Sequence, residues 1–133
     1  MSNWYGTCRS NYFRVKDVDA FAAMLGLHEA RLIEADGKVG FVSEDEYGSI
    51  PSRFDEDDES ADQISILDEI AEHLAEHEVC VVLEAGSEKA RYITGDALAI
   101  AWTGERVKLS LSDIYAVAQA EFGGDAQVTE ATY

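Results

Sequence analysis

Thirteen carboxylates and no lysine or arginine lie between Phe54 and Glu88. The stretch RFDEDDESADQISILDEIAEHLAEHE, which opens at Arg53, contains no further cation. No fold can bury such a run, because an unpaired charge in an apolar interior is strongly unfavourable. These groups must stand on a wet surface, and only the apolar residues between them can face a core. At about 100° per residue, Ile66, Leu67, Ile70, Ala71 and Leu74 fill one arc of a helical wheel, and Asp68, Glu69, Glu72 and Glu76 fill the opposite arc. The spacing predicts an amphipathic helix from about Gln63 to Glu78 with a uniformly negative outer face. Residues 54–62 read as an acidic loop that precedes it.

The whole chain shares the same bias. It has 133 residues, 27 Asp and Glu against 10 Lys and Arg, and a net charge of −17. At 47% hydrophobic it can still bury a core, so residues 1–124 are expected to form a single domain and 125–133 a frayed tail. The charge argues against binding DNA, RNA or an anionic membrane, since those affinities depend on Lys and Arg displacing counterions. Cations, basic proteins or a salty solvent are the natural partners. No apolar leader is visible near the N-terminus, and no apolar run reaches the length of a membrane span, so a cytoplasmic location is expected.

The remaining elements are marked by periodicity and turn residues. Residues 11–16, NYFRVK, alternate like a half-buried strand. Asp17 caps a short helix, VDAFAAMLG, with Gly26 as its stop. Asp36-Gly37 is a two-residue hairpin signal between Leu32/Ile33 and Val39/Phe41. VCVVLEAG reads as a central strand. KARYIT, ALAIAWT and RVKLSL continue it as a meander, with turns at Gly95-Asp96 and Thr103-Gly104. Ser112 caps a last helix that ends at Gly123-Gly124. The order β-α-β-β-(β)-α-β-β-β-α is an α+β class, a mainly antiparallel sheet with about three helices on one face.

Chemistry-bearing patterns are weak. His73 and His77 have an i,i+4 spacing that can hold a metal, with Cys80 close behind, but they are not HExxH and lie at the border of the apolar arc. Asp55, Asp57 and Glu59 open like a calcium loop, yet Ser60 stands where Gly is needed and Ile66 where a bidentate Glu is needed. Cys8 has no His in a telling relation to it, and Cys80 reads as a buried strand residue; free thiols are expected at both. No catalytic residue, metal or cofactor is therefore assigned. The cations cluster at Arg9, Arg14 and Lys16 and at Lys89, Arg91, Arg106 and Lys108, which implies a sheet face richer in positive charge.

The stretches SNYFRVKDVDAF and YITGDALAIAWTGERVKLSLSDIYAVAQAEFG resemble small acidic proteins carried by bacterial phages and plasmids. Proteins of that kind with assigned roles are often anti-restriction or anti-CRISPR inhibitors, several acting as DNA mimics. The resemblance implies a non-enzymatic inhibitor of a defence nuclease or CRISPR effector in a bacterial host cell. The resemblance assigns no residue; the unpaired acidic tract itself supplies the expected contacts, Asp55, Glu56, Asp57, Asp58, Glu59, Asp62, Asp68, Glu69, Glu72 and Glu76, whose i,i+4 members rise about 6 Å per step and would stand in for phosphates in a basic nucleic-acid-binding surface. An immunity or antitoxin-type protein capping one basic enzyme is an alternative, and an ordinary domain with a halophilic surface is another. The halophilic reading predicts loss of secondary structure in dilute buffer; a circular-dichroism spectrum unchanged between low and high salt eliminates it.

Overall fold

A computed structural model describes residues 4–44, 48–53 and 64–131. The elements in chain order are β1 (Tyr5–Ser10), α1 (Val18–Leu27), β2 (Ala30–Ala35), β3 (Lys38–Ser43), β4 (Ser52–Arg53), β5 (Ile64–Ser65), α2 (Ile66–His73), β6 (Val79–Glu88), β7 (Tyr92–Ala101), β8 (Arg106–Ser110) and α3 (Asp113–Phe122). The fold is α+β. Six strands form one antiparallel sheet in the order β2-β3-β1-β6-β7-β8, and β4 pairs with β5 separately.

One face of the sheet carries the core. From α1 come Phe21, Met24 and Leu25, and from α2 Ile66 and Ile70. They pack with Leu74 on Cys8, Val39, Phe41, Cys80, Val82 and Ile100 of the strands. Asp17 caps α1 as its position suggests, its carboxylate accepting from the N–H groups of Asp19 and Ala20. The helix runs through Gly26, however, and ends at Leu27. His28 is the C-cap, its N–H donating to the Leu25 carbonyl, and Glu29 takes the left-handed conformation at φ 57°.

The hairpin at Asp36-Gly37 forms as expected, with φ of 52° and 80°, the conformation a two-residue primed turn requires. Gly95-Asp96 does not turn. Both residues lie within β7, and a Cβ on Gly95 would stand 2.8 Å from Leu111 Cδ1. The glycine serves a close approach, and the strand runs unbroken from Tyr92 to Ala101 across the expected turn. The turn at Thr103-Gly104 is present, with Gly104 at φ 94°.

The strand expected over residues 11–16 lies earlier, at Tyr5–Ser10. Beyond Ser10 the chain makes only single bridges, Phe13 to Val39 and Val15 to Leu74. Asn11 holds the changeover. Its backbone N–H donates to the Val81 carbonyl at 2.9 Å, its Oδ1 accepts from the Val81 N–H at 2.7 Å, and its Nδ2 donates to the Val79 carbonyl at 3.1 Å. One side chain thus stands in for a strand residue beside β6. Next to it, buried Ser10 Oγ accepts from the Phe41 N–H and donates to the Asn11 carbonyl. Replacing Asn11 with Ala removes the partner of a half-buried strand N–H. The expected cost is about 2 kcal/mol in urea unfolding, and Asn11→Asp is also destabilising because its second oxygen would face the Val79 carbonyl that Nδ2 now serves.

Candidate functional site

The acidic helix is shorter than its periodicity suggests. α2 ends at His73, and Leu74 turns to an extended conformation with ψ 133°. The reason is competition from another strand-like segment. Leu74 bridges Val15, the Ala75 N–H donates to the Arg14 carbonyl, and the Lys16 N–H donates to the His73 carbonyl. Leu74 satisfies a helical wheel and a strand equally well, so the pattern could not locate this exit.

The predicted contact residues scatter accordingly. Asp55, Glu56, Asp57, Asp58, Glu59 and Asp62 lie outside the described residues. Asp68 sits exposed in the first turn of α2, where the helix dipole favours a carboxylate. It is not without a cation. The Arg106 guanidinium donates to Asp68 Oδ1 at 3.2 Å and to the Leu67 carbonyl at 2.8 Å. Glu69 turns inward beside buried His28, with Oε2 3.5 Å from Nε2. A single helical row of carboxylates along 63–78 does not form, because α2 ends at His73; Glu72 is exposed on the helix, and Glu76 is exposed beyond it with Oε1 3.6 Å from His77 Nε2.

The two histidines part company for the same reason. His73 packs edge-on to Phe21 at 6.0 Å, and His77, at φ 70° beyond the helix, lies tilted at 60° against Trp102 with centroids 4.9 Å apart. Their i,i+4 spacing thus has no helix to act through, and Cys80 faces the core. Among the described residues no three His, Cys, Asp or Glu gather as a metal site. The cations do not share one sheet face either. Arg106 and Lys108 alternate onto the helix side of β8, whereas Arg9, level with Leu83, belongs to the opposite side and lies over the Tyr12 ring at 5.6 Å.

Cys8 and Cys80 are buried free thiols on the core face of β1 and β6. Burial pushes the Cys8 thiol up to about 12, with the charge of Glu84 adding to it, and burial together with Cys8 pushes Cys80 up to about 12. Glu84 is itself held by the Ile50 N–H at 2.8 Å.

The far face of the sheet holds what periodicity and charge did not reveal. Register and alternation place Val79, Val81, Leu83 and Ala85 of β6, Ala97, Ala99 and Ala101 of β7, and Val107 and Leu109 of β8 on the side away from α1 and α2. Leu111 continues that surface, its side chain over Gly95. α3 joins its rim. It is tied to β8 by the Asp113 carboxylate, which accepts from the Ser110 N–H at 2.7 Å, and none of its residues is buried. Leu83 is 54% exposed, Val107 68%, Leu109 64%, Ile114 59% and Val117 57%. An open groove of about 500 Å³ runs between Leu83, Ala97 and Leu109 of the sheet and Ile114 and Val117 of α3. One signal for it was legible. VCVVLEAG is apolar at successive positions, as a strand covered on both faces is, and not alternating.

No protein-family model, no curated protein and no solved structure matches the chain.

Protonated thiols in a closed core resist alkylation. A water-soluble maleimide at pH 8 is expected to leave Cys8 and Cys80 unlabelled in the native protein and to label both in denaturant, read by intact mass. Because their folded pKa values are raised, the stability they contribute is complete below pH 9 and falls as pH climbs toward 12.

Proposed function

We propose that the protein is a non-enzymatic acidic inhibitor that binds a basic, nucleic-acid-binding surface of another protein. The class of target is a bacterial defence nuclease or CRISPR effector. The observation that carries this reading is the charge: 27 carboxylates against 10 cations, with Glu72 exposed on α2 and Glu76 exposed just beyond its end. Such a surface is attracted over long range to a Lys- and Arg-lined cleft and repelled by nucleic acid. The inhibitory role in host defence rests on the resemblance to small acidic phage and plasmid proteins.

The shortened helix changes how mimicry would work. A straight ladder of phosphate-like groups is replaced by a compact negative corner, where α2 ends and the chain turns toward β6. Charged groups of this kind set the encounter rate more than the final affinity.

The test uses the protein immobilised in bacterial lysate, with bound proteins identified by mass spectrometry. Basic nucleic-acid-binding proteins should be retained at about 50 mM salt and largely released by about 200 mM. Glu72→Lys with Glu76→Lys should cut their retention at least tenfold while the circular-dichroism spectrum stays native. Retention indifferent to both salt and charge reversal would falsify polyanion mimicry at this corner.

A further inference from the structure

We propose that the open face of the sheet, with the groove beside α3, is a homodimer interface whose occupant is a second copy of this chain. Exposed apolar side chains first mark the face. Leu83, Val107, Leu109, Leu111, Ile114 and Val117 each leave more than half of their surface in water. Together they present on the order of 600 Å², at the upper end of the roughly 300–600 Å² of the largest patch on a monomer and approaching the roughly 800 Å² each partner contributes to a standard interface.

The placement of charge selects the occupant. In β6, β7 and β8 the carboxylates are Glu84, Glu88 and Asp96, and the pairing register puts all three on the helix side of the sheet. The open side of those strands carries no charged residue at all. β1 adds Arg9 at its margin, level with Leu83. Two molecules of net charge −17 can approach closely only across a surface poor in carboxylates; the open side of β6, β7 and β8 carries none, and Glu121, one turn beyond Val117 on α3, is the one acidic side chain on the helical stripe of Ile114 and Val117. A basic protein would find no counter-charge here, and an anionic membrane is repelled by the chain as a whole. A mainly aliphatic surface is the complement this face requires, and the strands β6, β7 and β8 of a second copy supply one. A two-fold axis brings the same patch to itself, as the commonest oligomers do.

This inference is independent of the inhibitor reading and has the opposite salt dependence. Screening weakens attraction to a basic target but relieves repulsion between two acidic copies. Sedimentation equilibrium in the micromolar range should therefore find a monomer–dimer equilibrium that tightens from about 0.01 M to about 0.15 M salt. Leu109→Glu with Val117→Glu should raise the dimer Kd at least tenfold and leave the circular-dichroism spectrum unchanged. Val107→Lys, a single change on the most exposed of these strand side chains, should do the same and stands as the test if the double variant fails to fold. Wild-type protein that stays monomeric at both salts overturns the proposal, as does a dimer that persists in a folded variant.

Discussion

The contact of Phe13 with Phe21, edge to face with centroids 5.6 Å apart, is where the main layers of the molecule meet. Phe13 is locked to β3 by two backbone hydrogen bonds with Val39, each 2.8 Å. Phe21 lies at the buried stripe of α1, and His73 at the end of α2 packs on its ring. The aromatic pair therefore ties the irregular segment after β1 to both helices. It also sets where α2 must stop, because the same segment presents Val15 to Leu74 one step further on. A negative helix continued to Glu78 would forfeit those bridges.

That arrangement sorts charge by face. The helix side of the sheet is apolar at its centre and polar at its margins, where Glu84, Asp96, Arg106 and Lys108 lie. Ser110 Oγ donates to the Asp96 carboxylate at 2.7 Å, which ties β8 to β7 at this margin. The other side is aliphatic over β6, β7 and β8, while its β1, β2 and β3 part carries Arg9, Arg31 and Lys38. A chain with so many carboxylates could readily have covered that side with them, since one strand position in two was free to be polar. The exposed Glu72 and Glu76 and the aliphatic face of β6, β7 and β8 are thus two separate surfaces of one molecule.

Local signals in the sequence were reliable where a single residue dictates backbone geometry. Asp17 caps α1, Asp36-Gly37 turns the first hairpin, and Gly123 at φ 93° ends α3. They failed at Ser112, which precedes α3 in a helical conformation and makes no side-chain capping hydrogen bond, and where a residue had two uses. Gly95-Asp96 has the composition of a turn, yet Gly95 is there to admit Leu111. Gly26 has the composition of a stop, yet the helix runs past it to Leu27. Asn11 reads as one polar member of an alternating strand, and only its spatial position beside Val79 and Val81 makes it a splice between strands.

The amino-acid sequence alone determined the α+β class, the order of elements and the impossibility of burying residues 54–88 as a block, because periodicity and charge act locally and cannot be overridden at that scale. The tertiary structure alone decided the length of α2, the pairing of Asp68 with Arg106 and the existence of an uncovered aliphatic face. Each of those depends on which strand lies beside which and in what register. A one-residue change of register exchanges the two faces of a strand without altering a single letter of the sequence.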